Sequence, residues 1–251
     1  VLSGVCLLRR HLFDGGCIKG IQILLEPLVP PPSPSPQPDL PSCIQQHHVM
    51  VFGQRKICFL TLQLLLDDLN GLNDNMDHHG SNTGVVQIDQ IVDLPEMNDW
   101  VLDVKLLNEM CTETTVTIAV GFARNFVKVI QFPYDFALRA KRTNRYMVKE
   151  LNVLHTVHGY PNCLLYSMSL YGEHVDKLLV AAGTIFTQIS VWSFVQCQSN
   201  QSALIILNGH DGVLFRVEWA KDGKALCSTS DDRTIRFWKF SHGFEATPDY
   251  R

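Results

Sequence analysis

The chain has 251 residues, 46% hydrophobic and 18% charged, which is enough to bury a sizeable core and excludes wholesale disorder. Its formal net charge of -4 gives no global field to draw in nucleic acid or an anionic membrane, so any RNA contact needs a local basic patch. The 8 cysteines are scattered, none pairs as C-x-x-C, and no apolar run reaches membrane-spanning length. We therefore expect reduced thiols in a cytosolic or nuclear protein, with a cytoplasmic location.

In chain order, VLSGVCLLRRHLF opens without an initiator Met, as an internal piece of a larger protein would. It contains a small basic cluster at Arg9, Arg10 and His11. GIQILLE (20–26) is expected as an outer strand. The insertion at 27–42, with PLVPPPSPSPQPDLP, cannot join a sheet because proline lacks the donor a ladder needs. VMVFG (49–53) is a strand ending on glycine, and 67–84 is a polar loop rich in Asn, Asp and Gly. Asp77, His78 and His79 lie in that loop; adjacent histidines point apart, and no second pair stands at zinc spacing, so no metal site is expected.

VVQIDQIV (85–92) is read as an outer strand and DWVLDVKLL (99–107) as an inner one, followed by the strand TIAVG ending at Gly121. The connection 133–145 carries a basic run. Arg139, Lys141, Arg142, Arg145 and Lys149 read either as phosphate contacts for an RNA backbone or as a solvated loop leading into an outer strand, RYMVKELNVL (145–154). CLLYSMSLYG (163–172) is an inner strand, LVAAG ends at Gly183, and ALIIL (203–207) is an outer strand.

The last unit is the clearest. Val213, Phe215, Val217 and Trp219 alternate with more polar residues, the period of a strand. Asp222-Gly223 suits a tight hairpin, Leu226 to Ser228 forms a second strand, Asp231-Asp232 a second bend, and Thr234 to Phe240 a third strand. Gly209-His210, Ser228, Asp232 and Trp238 fall at the spacing of the WD repeat, so this unit resembles one four-stranded blade of a β-propeller. Lys239 stands where that repeat usually has its final Asp. The resemblance implies that His210, Ser228, Asp232 and Trp238 form a hydrogen-bonded structural tetrad. A hydrolytic reading of His210, Ser228 and Asp232 is weaker, because the blade accounts for all three and for Trp238 as well.

Four weaker copies of the middle-strand signature end at Gly4, Gly53, Gly121 and Gly183, and Thr229 holds that place in the clear unit. Their spacing exceeds the usual WD period of about 40–45 residues, with the excess assigned to loops. Phe186 and Arg124 stand at the acid position of two copies, and Ile130 replaces one tryptophan. The expected fold is all-β: a partial WD40-type β-propeller over 1–251, about four to five four-stranded blades in an incomplete ring, with loop insertions at 27–42, 67–84 and 133–145. Both faces of each blade are expected to be covered by neighbours.

NDWVLDVKLLNEM…TIAVGFARNFVKVIQF, then CLLYSMSLYGEHVDKLLVAAGTIFTQISVW, then DDRTIRFWKF, resemble in order and wording one family's amino-terminal propeller. That family is the large WD-repeat accessory subunit of the tRNA wobble-nucleotide ribose 2′-O-methyltransferase. The resemblance implies a non-catalytic scaffold that binds a separate methyltransferase catalytic subunit and presents tRNA to it. No cofactor, metal, membrane or small-molecule substrate is expected, and the chain has no Gly-rich strand-to-helix turn of a dinucleotide site. The alternative is a WD-repeat protein-interaction scaffold without an RNA partner.

Overall fold

The computed structural model describes residues 12–13, 16–24, 44–65, 85–112, 114–134, 145–200 and 203–240. Strands rich in Val, Ile, Phe and Leu, punctuated by short turns, pair mostly with their sequence neighbours. The first sheet holds β1 (Gly20–Leu24), β2 (Ile44–Gly53), β3 (Lys56–Leu65) and β4 (Val85–Asp93). The second is built from β5 (Val101–Leu106), β6 (Thr115–Phe122) and β7 (Phe126–Pro133). After β7 the chain adds β8 (Arg145–Met147) in parallel to β4 of the first sheet, then returns as β9 (Asn152–His158), antiparallel to β7.

The third sheet comprises β10 (Leu165–Tyr171), β11 (Leu179–Thr184) and β12 (Ile189–Ser193). The short helix α1 (Phe194–Asn200) leads from β12 to its outer strand β13 (Ile205–Leu207). The fourth contains β14 (Leu214–Trp219), β15 (Ala225–Ser230) and β16 (Ile235–Lys239). These four sheets are four blades of a β-propeller. A seven-residue helix is too short to stand alone, and α1 is held by burying Phe194 and Cys197 against the second and third blades.

Successive blades pack face to face. Met50, Phe52, Ile57 and Phe59 of the first meet Val104, Leu106, Ile118 and Val120 of the second. Ala119, Val127 and Val129 of the second meet Leu165, Met168 and Leu170 of the third. Ala181, Ile189 and Val191 of the third meet Leu214, Val217 and Trp219 of the fourth. Each such aliphatic side chain contributes about 1.5–3 kcal/mol when fully buried. Gly121 and Gly183 permit this approach: a Cβ on Gly121 would run into the Met168 side chain, and one on Gly183 would lie 2.9 Å from Val217 Cγ2.

The architecture corrects three strand readings. The segment at 20–24 is the first strand of its sheet, pairing only with β2, and so is an inner strand rather than an outer one. The stretch 145–154 is not one outer strand: β8 belongs to the first blade, and only β9 serves the second. Ile235 and Phe237 are not covered; they are 64% and 81% exposed, because among the described residues no sheet packs on their side of the fourth blade. The 27–42 and 67–84 insertions, the start of the chain with Gly4, and Asp77, His78 and His79 lie outside the described residues.

Candidate interaction surface

The bend between β15 and β16 places Arg233 in the left-handed region (φ 65°); Asn125 (φ 55°) and Thr187 (φ 66°) hold the same turn position in the second and third blades, and Gln54 (φ 49°) lies in the tighter β2–β3 turn of the first. Asn125 is of the residue type that tolerates this conformation best after glycine. Its Nδ2 donates to the Pro161 carbonyl at 2.5 Å, tying the second blade to the loop entering the third.

In the fourth blade the structure brings His210, Ser228, Asp232 and Trp238 together. His210 Nδ1 lies 2.7 Å from Asp232 Oδ2 and Nε2 lies 2.8 Å from Ser228 Oγ, while Trp238 Nε1 donates to Ser228 Oγ at 2.8 Å. An indole nitrogen can only donate, so Ser228 accepts from Trp238 and gives its own proton to His210 Nε2. Nδ1 is then the protonated ring nitrogen and donates to Asp232. The remaining carboxylate sites take the amide of Asp211 at 3.1 Å and the amide and hydroxyl of Thr234 at 2.8 and 2.7 Å. Ser228 is fully buried and its hydroxyl committed on both sides, so no substrate can reach it as a nucleophile.

A second set of polar side chains, which no motif in the sequence marks, stitches the inner strands. Asp103 on β5 accepts the Val104 amide at 2.9 Å and, across the blade boundary, the Leu170 amide of β10 at 2.7 Å. Ser167 and Ser169 on β10 likewise accept the Val217 and Trp219 amides of β14 at 2.9 and 3.2 Å. The free edge of each inner strand would otherwise leave these donors unpaired. The available signal was a lone polar residue between apolar ones, in VLDVKL and LYSMSLY.

These two carboxyls titrate in opposite senses. Burial, only partly offset by the Leu170 and Val104 amides and by Arg216 and Lys105, pushes Asp103 up to about 7. For Asp232, burial works upward but is outweighed by the hydrogen bonds from Thr234, His210 and the Thr234 and Asp211 amides, which hold it well below the usual carboxylate range. In the unfolded chain both titrate near about 4.

Between about pH 4 and about pH 7 folding therefore takes up a proton at Asp103, so that contribution is full at the acid end and lost as pH rises through about 7. The Asp232 contribution is present above the ordinary carboxylate range and is lost as pH falls below it. Asp103→Ser, which keeps an acceptor as Ser167 does, should remove the decline in melting temperature from about pH 5 to about pH 8 while leaving the acid limb intact. Parallel thermal melts across that range check this; identical slopes in both proteins would dismiss the assignment.

At the β-bulges where β10 and β14 begin, Tyr166 and Phe215 are turned outward, 49% and 51% exposed, with ring centroids 6.3 Å apart in an edge-to-face pair. Lys19 Nζ donates to the Tyr166 carbonyl at 3.0 Å, and Arg216 follows Phe215 and pairs with Glu218 at 2.9 Å. Burial, and then the nearby Arg216, lowers the Lys19 pKa. Rings flanked by cations can stack on a planar group such as a nucleobase or an aromatic or guanidinium side chain. Of the basic run, Arg145 on β8 is bonded to Asp93 through Nε at 2.6 Å and Nη2 at 3.1 Å, pinning β8 to β4. Lys149 is exposed, and Arg139, Lys141 and Arg142 lie outside the described residues. Among the described residues no group of three or more His, Cys, Asp or Glu could hold a metal ion, and no helix is long and apolar enough to cross a membrane.

No family model matches the chain. It is similar to proteins described as tRNA (34-2'-O)-methyltransferase regulator WDR6: 30% identical over 146 residues to that of Bos taurus and 25% over 146 residues to that of Homo sapiens, each covering 57% of this chain and 11% of the relative. A WD repeat-containing protein WDS homolog of Arabidopsis thaliana is 34% identical over 65 residues, 26% of this chain and 12% of that protein. The matched part thus spans about a tenth of these relatives' length. Among solved structures, a chain of a mitotic checkpoint complex matches with a TM-score of 0.39 and 16% identity, over 76% of this chain and 43% of that one.

Proposed function

We propose that this propeller is a non-catalytic scaffold in the cytoplasm that binds a tRNA ribose 2′-O-methyltransferase and helps present the anticodon wobble nucleotide to it. The observation that carries the non-catalytic part is the sealed tetrad: the serine, histidine and acid of the fourth blade are spent on one another and on Trp238. Similarity to proteins named as regulators of such a methyltransferase supports the choice of partner. The outward Tyr166–Phe215 pair and the exposed Lys149, with Arg139, Lys141 and Arg142 preceding it in sequence, supply groups suited to RNA.

The protein should co-purify with a ribose methyltransferase and with tRNA. In the assembled complex, Lys141→Glu, Arg142→Glu and Lys149→Glu together should weaken tRNA binding and flatten its salt dependence by about 0.7–0.9 in log–log slope for each lost phosphate contact. Arg145 is left intact because its bond to Asp93 is structural. Capture of protein partners but neither tRNA nor a methyltransferase would favour the interaction scaffold without RNA. Unchanged affinity at two salt concentrations would remove the basic run from the interface.

A further inference from the structure

Three of the four sheets send the start of their innermost strand to one place. β1, β10 and β14 stand first in their sheets, and Lys19, Tyr166 and Phe215 lie at their leading ends. The Lys19 amide donates to the Phe52 carbonyl at 2.8 Å, which fixes the backbone there. Its side chain crosses from the first blade to the third and reaches the Tyr166 carbonyl at 3.0 Å. These residues therefore mark the mouth of the central channel. A bulge interrupts the inner strand at the same place in three blades, where the extra residue is Leu102, Tyr166 or Phe215. Leu102 is buried between blades, whereas the two rings stand half in water with their planes 69° apart.

The same mouth holds two cations. Of the three N–H donors of the Lys19 ammonium one is spent on a carbonyl, and among the described residues none on a carboxylate. Arg216, next to Phe215, gives Nε and Nη2 to Glu218 and among the described residues keeps Nη1 unspent. Burial first, and then the charge on Arg216, lower the Lys19 pKa, so this ammonium is short of both water and a counter-charge. Asp103 lies within reach of the Arg216 charge, but it is buried and spends its oxygens on the Val104 and Leu170 amides. The site thus lacks an anion beside an exposed aromatic corner. A nucleotide carries a flat ring and a phosphate joined through one sugar. An unmodified side chain offers one or the other: Tyr, Trp and Arg the plane without the anion, Asp and Glu the anion without the plane.

We propose that this channel mouth seats one unpaired nucleotide of an RNA strand, with its base stacked at the Tyr166–Phe215 pair and its phosphate held by Lys19 and Arg216. The inference rests on the reading of the protein as a tRNA scaffold and names where an unpaired residue of that tRNA is held. Because the ring planes are 69° apart, a base lying flat on one ring meets the edge of the other, so the corner takes a single base. A base inside a helix has both faces covered by its neighbours, so the site selects an unpaired one. Stacking is tolerant of which base it is.

Ultraviolet crosslinking and salt-dependent affinity test this on the native-length protein bound to its methyltransferase, with tRNA from the same cells as the probe. Irradiation should join tRNA to the peptides carrying Tyr166 or Phe215, a result read on the parent protein and independent of how any variant folds. Tyr166→Ala combined with Phe215→Ala should weaken tRNA binding about tenfold or more without changing its salt slope. Phe215→Trp, which keeps a ring face, should bind as the parent does. Lys19→Gln should flatten the log–log salt slope by about 0.7, the share of one phosphate on a single strand. Crosslinks confined to other peptides, with the ring variants binding tRNA as tightly as the parent, would overturn the site and leave the scaffold reading standing. Loss of the methyltransferase from the ring variants while tRNA stays bound would also overturn it, since a protein would then be the occupant. Competition by adenosine monophosphate at the tRNA concentration would make a free nucleotide the occupant and overturn the assignment to RNA. A parent complex that binds no tRNA would remove both the site and the reading beneath it.

Discussion

Replacing Trp192 with alanine will cost about 3–5 kcal/mol of stability, the largest single loss expected from any side chain in the structure. Trp192 on β12 is wholly buried and packs with Val180 and Ala182 against Val127, Val129 and Val157 of the second blade. Its ring also closes on Gly159, where a Cβ would collide with the indole carbons. Of the neighbouring strands β7 and β11 are pinned on both edges, so they cannot collapse into the vacated space, and the cavity adds to the lost transfer energy.

The indole nitrogen of Trp192 finds no acceptor among the described residues, because the place of Ser228 is held here by Ala182 and that of Asp232 by Phe186. What Trp192 contributes is volume, not a hydrogen bond. Trp192→Phe should therefore recover most of the loss. Chemical denaturation of the three proteins measures this, and an alanine variant within about 1 kcal/mol of the parent would contradict it.

Ser228→Ala will cost about 2–4 kcal/mol, although it deletes a single oxygen. The oxygen satisfies two partners at once: Trp238 Nε1 loses its acceptor and His210 Nε2 its donor, in a place water does not reach. Leaving a buried polar group unpaired costs about 1–3 kcal/mol each, more than the net worth of the bonds themselves. Ser228→Thr keeps the hydroxyl and should hold the network together. Equal stability of the alanine and threonine variants would show that the four side chains do not act as a unit. The alanine variant also separates structure from chemistry, since a hydrolytic role for Ser228 would appear as lost activity at unchanged stability.

Trp192 and Trp238 show how far the sequence could be read. Both close the third strand of a blade, and counting back from each located the bend residue, Phe186 in one case and Asp232 in the other. That count works because the hairpin is local: strand, turn and strand are consecutive, and the register follows from the turn. The fate of each indole was not local. Whether its N–H is satisfied depends on a residue of the preceding strand and, for the fourth blade, on a histidine that arrives from the loop before the inner strand.

The same division explains the misplaced strands. GIQIL and RYM are short and equally compatible with any sheet edge, and their partners, β2 and β4, lie beyond long connections. Nothing in five or three residues specifies which edge they join, and the contacts that hold β8, its ladder with β4 and the Arg145–Asp93 ion pair, join positions 52–54 apart.

The sequence by itself determined that this protein is built of short antiparallel strands with hairpin bends at set intervals, while the histidine–serine–aspartate–tryptophan network of one blade was what its resemblance to the WD repeat implied. Those features depend on alternation and spacing within a few dozen residues. Only the tertiary structure decided which strands lie innermost, that Asp103, Ser167 and Ser169 stitch one blade to the next, and that Ile235 and Phe237 stand uncovered. Each of those facts is a relation between sheets. Burial and hydrogen-bond satisfaction are set by what a neighbouring blade presents, and a strand's own residues do not contain it.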